Sequence, residues 1–269
     1  MLTQLIQWAA DAIVQRQRPD GALLMEPADQ SANSVIPYFA NLAVIGLANA
    51  YPHLRRRSYL HTAQKWLQWY ASHMNPDGTI HDYQLLGGEL RPTGDCDSTD
   101  AYAATFLEAL ERTAQVSGER RWWSSLYPAA VKAVGAIRLT LQADGLTWAK
   151  PGRRVKYLMD NVEVFRGWRS ARWIAHSLGR GSEAAEWERQ AHRTLAAIDR
   201  WLFLPREGWY AWALHEDGTR ESGLSQWYPD VMAQLMAIAW LPASTRRKRL
   251  FAQLQRQFAP MWQTAMESG

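Results

Sequence analysis

The segment GDCDSTDAYAATFLEAL, at positions 94–110, places three carboxylates within six residues, where the chain changes from polar to apolar. Carboxylates held close together can carry out general acid–base catalysis, because the charge of one raises the pKa of another and keeps it protonated. The same residues are also typical of a helix start, where an acidic side chain accepts backbone N–H groups and faces the positive end of the helix dipole. The segment therefore supports a catalytic interpretation and a structural one.

Acidic residues recur at later positions of the same kind. DNVE at 160–163 and WYPD at 227–230 each begin an apolar segment, as DSTD does at 97–100. Helix capping explains any one of these groups, but it does not explain Asp95, which precedes the helix start, or the recurrence of the set. We therefore take as candidate catalytic residues Asp97, Asp100, Asp160, Glu163 and Asp230.

The elements that would position these carboxylates are pairs of helices. In each pair the first segment is apolar nearly all round, as an inner helix is, and the second has one apolar face, as an outer helix does. An additional helix at about 2–16 brings the expected number to about nine. The expected inner helices are Val35–Ala50, Ser98–Thr113, Asn161–Leu178 and Pro229–Trp240, and the outer ones are Arg57–His73, Arg120–Leu141, Glu183–Leu202 and Thr245–Trp262.

Four Asp-Gly turns separate these pairs, and their glycines, 21, 78, 145 and 218, are 57, 67 and 73 residues apart. Asp-Gly is a strong signal for a tight turn, and repeats of this length indicate stacked supersecondary units. The sequence therefore predicts an all-α fold, a single (α/α) toroid or open arc spanning 1–269, with short β-hairpins in the rim loops. An α-solenoid would use the same helix pairs without closing.

The repeat should place the inner-helix starts at one end of the arc, so the carboxylates would surround one opening that aromatic residues also reach. Glycoside hydrolysis requires such a site, since one acid protonates the leaving oxygen, a carboxylate handles water or the anomeric carbon, and flat rings stack on sugars. The expected substrate is thus a carbohydrate. The candidate substrate-binding residues are Asp95, Tyr83, Tyr102, Trp168, Trp227 and Tyr228.

Two carboxylates are assigned roles. Glu163 has apolar neighbours, which raise a carboxyl pKa, so we expect it to be the proton donor. Asp97 stands at a polar helix start that favours the charged form, so we expect it to be the base. If Arg166 paired with Glu163 on the helix surface, it would keep Glu163 ionised and make its role structural.

The turns, the acidic inner-helix starts and the segments DCDSTDAYAATFLEAL and YLMDNVEVFRGWRSA resemble the six-hairpin glycosidase superfamily of (α/α)6 toroids. The first segment is also similar to the acidic inner-helix signature of family 8 endoglucanases. The resemblance implies a toroid that acts on an oligo- or polysaccharide. A complete ring of this kind has twelve helices, so the count of about nine leaves open a shortened ring, a pseudo-enzyme, or a homo-oligomer in which a partner completes the ring.

Other functions are possible on the same scaffold. A class II terpene cyclase would use Asp-x-Asp-Asp as its proton donor, but Ser98 occupies the place of the third acid. A sugar epimerase or isomerase would use histidine as acid and base, and His81, His176 and His215 are its candidates. A non-catalytic toroid would bind a glycan or a protein with the same aromatic residues.

Composition argues against several further classes. The net charge of +4 is spread over helix faces, so no nucleic-acid partner is expected. No apolar run approaches the roughly 20 residues of a membrane span, and the first residues do not read as a signal peptide, so we expect a cytoplasmic protein without a membrane partner. A lone cysteine, Cys96, and the absence of HExxH or a dinucleotide-binding loop predict neither a metal nor a cofactor.

Overall fold

The computed structural model describes residues 2–27 and 33–267, with side chains described as far as residue 259. This part of the chain is largely helical, which confirms the all-α prediction. Short π-helical turns, Ile198–Leu202 and Trp227–Val231, follow α8 and precede α9. The α-helices are α1 (Leu2–Gln15), α2 (Pro37–Leu54), α3 (Arg57–His73), α4 (Thr99–Ser117), α5 (Arg120–Ser125), α6 (Tyr127–Thr140), α7 (Leu158–Ser177), α8 (Gly181–Ala197), α9 (Met232–Trp240) and α10 (Thr245–Glu267).

Short antiparallel strands connect the helices at the rim, as expected. They are β1 (Asn33–Val35), β2 (Tyr83–Leu86), β3 (Glu89–Pro92), β4 (Val155–Tyr157), β5 (Phe203–Leu204), β6 (Trp209–Tyr210), β7 (Ala213–His215) and β8 (Arg220–Glu221). The sheets have the orders β1-β2-β3, β4-β7-β8 and β5-β6. Strands β1 and β4 lead almost directly into α2 and α7, so the rim sheets fix where these helices begin.

Helices α2, α4, α7 and α9 form the inner layer, and each packs on the next in this order. Helix α4 is buried on all sides over 99–110, as its continuous apolar composition predicts. Helices α3, α6 and α8 cover the outside with one buried face each, and α10 packs on α9. In the described residues no helix has both the length and the apolar character that crossing a membrane would require.

Two expected outer helices are interrupted. The segment Arg120–Leu141 divides into α5 and α6 at Leu126. Pro128 lies in the first turn of α6, where its missing N–H costs nothing, whereas inside a continuous helix it would clash with the preceding turn. The segment Glu183–Leu202 ends as an α-helix at Ala197 and continues as a π-helical turn.

The Asp-Gly repeat holds for the first three units and is wrong for the fourth. In the first and third units the turn closes a β-bridge, between Gln17 and Leu23 and between Leu141 and Thr147. The corresponding hairpin of the fourth unit is β5–β6, whose turn contains Gly208 at φ 82°. Gly218 belongs instead to the turn of the β7–β8 hairpin. Its Asp-Gly sequence resembles the other three turns, but it marks a different hairpin of the fourth unit.

The inner helices α4 and α7 approach each other closely at Gly167. A Cβ atom at this position would lie 2.7 Å from the Cα of Ala104, well inside ordinary van der Waals contact. Glycine is therefore required by close packing and not by backbone conformation. The contact brings the starts of α4 and α7, with their carboxylates, side by side.

We predict that Gly167→Ala lowers the free energy of unfolding by about 1–3 kcal/mol, because overpacking outweighs the roughly 1 kcal/mol that alanine gains in helix propensity. The matched control is Gly46→Ala in α2, where a Cβ meets no atom within 4 Å. This control should raise stability by up to about 1 kcal/mol. Urea denaturation followed by circular dichroism measures both values, and similar effects of the two changes would contradict the close approach.

Candidate functional site

A cavity of about 780 Å³ lies beside the starts of α2, α4 and α7 and is closed on another side by α9. Helices α2 and α9, the first and last of the inner series, both line this cavity. The rings of Tyr38 and Tyr102 stack on its wall with centroids 5.9 Å apart. The polar part of the wall consists of Asp82, Asp97, Ser98, Asp160, Tyr38, Tyr102 and Tyr228.

The N-cap position of α4 is not occupied by one of its acids. The N-cap residue is Ser98, and its side chain makes no capping hydrogen bond within the described structure. The N–H of Thr99 donates to the carbonyl oxygen of Ala149 at 2.6 Å. A neighbouring loop thus provides the hydrogen-bond acceptor for this backbone N–H group at the helix start. Asp97 lies on the cavity wall with an 80% exposed side chain and an ion pair to Arg153 at 3.3 Å. Its carboxylate is therefore available to a ligand.

Asp100 is fully buried and connects α4 to α7. Its carboxyl group accepts hydrogen bonds from the Thr147 hydroxyl at 2.5 Å and from the Ala101 N–H at 2.8 Å. The backbone N–H of Thr147 donates in turn to the side-chain oxygen of Asn161 on α7, at 2.8 Å. Burial raises the pKa of Asp100, despite these hydrogen bonds.

Asp160 lies in the first turn of α7 and on the cavity wall. Its Oδ2 atom is buried and has no hydrogen-bond partner among the described residues. Burial raises the pKa of Asp160 well above its ordinary value, and the nearby charges of Asp100 and Glu163 add to the effect. These surroundings favour the protonated form of the carboxyl group, which is the form that a general acid needs.

Glu163 lies one turn further along α7 and is 2% exposed. The Tyr38 hydroxyl donates to its Oε1 at 2.8 Å, and its Oε2 has no hydrogen-bond partner in the described residues. Burial raises the pKa of Glu163 well above its usual range. Arg166 does not pair with it, since the guanidinium Nε donates to Glu108 on α4 at 2.8 Å.

Asp82, just before β2, is a carboxylate of the wall that the sequence interpretation missed. The Tyr102 hydroxyl donates to its Oδ1 at 2.9 Å. Burial raises the pKa of Asp82, and the charges of Asp97 and Asp95 act in the same direction. Its only sequence signal is its position next to Tyr83, in a rim loop that follows an Asp-Gly turn.

Of the predicted acids, Asp97 and Asp160 line the cavity, whereas Asp95 and Asp230, like Asp100 and Glu163, do not. Asp95 forms an ion pair with Lys150 at 2.7 Å, and the hydrogen bond from this ammonium group lowers the pKa of Asp95. Asp230 closes its own turn, where its Oδ2 accepts the backbone N–H groups of Ser225 at 3.0 Å and Gln226 at 3.2 Å. Both acids therefore have structural partners.

The predicted aromatic residues divide between wall and core. Tyr102 and Tyr228 line the cavity, and Tyr228 is largely exposed. Tyr83 is buried against the ring of Trp69, with centroids 5.1 Å apart. Trp168 is fully buried in the core, and Trp227, which is 43% exposed, lies outside the wall.

No protein-family model matches the sequence, and no curated protein matches it. Solved structures do share the fold. An uncharacterised conserved protein from Thermus thermophilus matches with a TM-score of 0.69 and 12% identity, over 95% of this chain and 76% of that one. A rhamnosidase from Klebsiella oxytoca with rhamnose bound matches with a TM-score of 0.60 and 14% identity, over 82% of this chain and only 41% of that one.

A cellobiose 2-epimerase from Bacillus thermoamylovorans also matches, with a TM-score of 0.60 and 10% identity, over 88% of this chain and 67% of that one. The rhamnosidase and the epimerase, like other structural neighbours of this chain, belong to the six-hairpin glycosidase superfamily. The fold of that superfamily, which the sequence resemblance implied, is therefore confirmed. At these identities the likeness establishes the fold alone.

The buried carboxyl groups predict a pH dependence of stability. Burial raises the pKa of Asp100 from 3.8 to about 7, so the folded protein keeps a proton that the unfolded chain releases. The contribution of this group to stability is complete below about pH 4 and is lost as the pH rises through about 7. Asp100→Asn should therefore reduce the loss of unfolding free energy between about pH 5 and pH 8 by about 2–3 kcal/mol.

Urea denaturation at the two pH values measures this difference. The control is Asp217→Asn, an exposed carboxylate whose Oδ1 accepts the Thr219 N–H at 2.9 Å, a hydrogen bond that asparagine preserves. It should leave the pH dependence of the wild type unchanged. If Asp100→Asn and wild type lost equal stability over this range, the Asp100 carboxyl would not be held protonated by the fold.

Proposed function

We propose that the protein is a glycoside hydrolase-like enzyme that binds a carbohydrate in this cavity and cleaves a glycosidic bond by carboxyl acid–base catalysis. The observation that carries the proposal is the position of Asp160, a half-buried residue whose Oδ2 atom is buried without a hydrogen-bond partner in the described residues, on the wall of a cavity shared with Asp97 and Asp82. A protonated acid and a charged carboxylate facing one space are the two groups that glycoside hydrolysis requires.

Asp160 is a better proton donor than Glu163 in this geometry. Glu163 is 2% exposed and does not line the cavity, so a substrate cannot reach its proton directly. Its negative charge, when present, raises the pKa of Asp160, as that of Asp100 does. Glu163 and Asp100 are therefore proposed as positioning residues: both are buried and provide no positive charge to Asp160, and the ionisation of either would raise the pKa of Asp160 further.

Asp97 is proposed as the base. Its carboxylate is exposed to water and forms an ion pair with Arg153 at 3.3 Å. In the reaction, Asp160 gives its proton to the leaving glycosidic oxygen as the bond to the anomeric carbon breaks. Asp97 takes a proton from the water whose oxygen joins that carbon, so one water molecule is added across the bond. Asp82, which accepts a hydrogen bond from the Tyr102 hydroxyl, is proposed to orient a sugar hydroxyl.

The structural neighbours support a carbohydrate ligand, since one of them has rhamnose bound. The cellobiose 2-epimerase shares the fold, so sugar epimerisation is the alternative function. The wall of the cavity, in the described part of the chain, carries aspartates and tyrosines but none of His81, His176 and His215. This composition favours carboxyl chemistry over the imidazole chemistry that we considered for an epimerase.

The change Asp160→Asn should lower kcat by about 10²–10⁴, the usual contribution of a general acid, with little change in KM. Release of reducing sugar from a panel of glycosides measures turnover, and Asp217→Asn, outside the cavity, should behave as wild type. Turnover that survives Asp160→Asn would refute the assigned role. If the wild type binds a glycan without cleaving any, the site is a binding module and the proposed hydrolysis is wrong.

A further inference from the structure

The α9 side of the cavity is apolar. Met232, Leu235, Met236 and Ala239 follow the spacing i, i+3, i+4 and i+7, which places them on one face of the helix. All four line the cavity. The buried face of α9 instead carries Gln234, whose side chain bonds the backbone of Tyr210. The helix thus presents its aliphatic and thioether side chains to the cavity and uses its polar residue in the core.

The α2 side continues this apolar surface. Phe39 and Leu42, one helical turn apart on α2, line the same cavity as α9, and Phe39 is 48% exposed. Met232 is 38% exposed on the other side. Exposed apolar side chains that occur singly need no explanation, but a contiguous set lining one concave space marks a binding surface. This surface and the carboxylates of Asp97 and Asp160 belong to the same cavity.

We propose that the natural ligand of this cavity is an amphiphilic glycoside, with its sugar at the carboxylates and an apolar aglycone between α2 and α9. The inference rests on the proposed function for the sugar end and on the α2 and α9 residues for the apolar end. A ligand that reaches Asp160 must share the cavity with the apolar wall, and a sugar alone would leave that wall in water. An aglycone removes it from water.

The methionines indicate what kind of aglycone fits. Met159, Met232 and Met236 line the cavity. Methionine has several rotatable bonds and a polarisable sulfur, so it adapts to apolar groups of different shape. The wall therefore suits an alkyl or isoprenoid chain more than a single rigid ring system.

A second copy of this chain is a poorer occupant. A protein surface that covered the cavity would enclose the Asp97 and Asp160 carboxyls, and a charged group buried without a partner costs free energy. An amphiphile leaves its polar end at these groups. This distinction makes the oligomeric state one outcome of the test.

The test measures the dissociation constants of butyl, hexyl and octyl β-glucoside by isothermal titration calorimetry, each below its critical micelle concentration. The Asp160→Asn variant is used so that no turnover occurs. The dissociation constant should fall about three- to fourfold for each added methylene group. The double variant Met232→Gln, Met236→Gln should flatten this dependence. The control Leu139→Gln, which changes a 48% exposed leucine on α6, should leave it unchanged.

A flat chain-length series, or a steep series that survives the double methionine change, would overturn the inference. Self-association that the double methionine change abolishes, detected by sedimentation equilibrium, would also overturn it in favour of a second copy. The proposed hydrolysis fails separately. A steep series with no turnover of any glycoside refutes only the hydrolysis, whereas turnover abolished by Asp160→Asn with a flat series refutes only the apolar aglycone.

Discussion

The close contact between α4 and α7 is the constraint on which the site depends. Gly167 allows the two backbones to meet at Ala104, and the Asp100–Thr147–Asn161 hydrogen bonds connect the two helix starts. Because both helices are covered on their outer sides, their first turns cannot move apart without opening the core. The carboxyl groups of these turns are therefore held together whether or not a ligand is present.

The burial of several acids next to one another, away from water, determines which of these carboxyl groups are protonated. Asp100, Asp160 and Glu163 are close to one another, and Arg166, the nearest cation along α7, is engaged by Glu108. An ionised carboxyl without a compensating charge is expensive to bury, so the fold favours the neutral forms of these three groups. Asp97, in contact with water and with Arg153, has the opposite environment. In the proposed mechanism, the difference between these environments distinguishes the acid from the base.

The helix pairs and rim hairpins were readable from the sequence, because helices apolar on every side and Asp-Gly turns carry strong local signals. The grouping of Asp97 with Asp160 followed from the repeat spacing. Three features did not follow. The first is the orientation of an acid at a helix start, which can cap the helix or face a cavity. It depends on contacts such as that of Thr99 with Ala149, which local sequence does not specify. Asp82 comes from a rim loop, and the core position of Trp168 depends on how far α7 is covered.

The central claim, that Asp160 is held protonated beside an ionised Asp97, is tested most directly by the protonation state of Asp160. Protein labelled with ¹³C at the aspartate carboxyl carbons gives one resonance for each aspartate, and the Asp160 signal is the one lost in Asp160→Asn. We predict that this carbon titrates at a pH well above the ordinary range of an aspartate, because burial and the neighbouring acids raise the pKa of Asp160. An Asp160 signal that titrates near 4, as an ordinary aspartate does, would contradict the assignment of Asp160 as the acid.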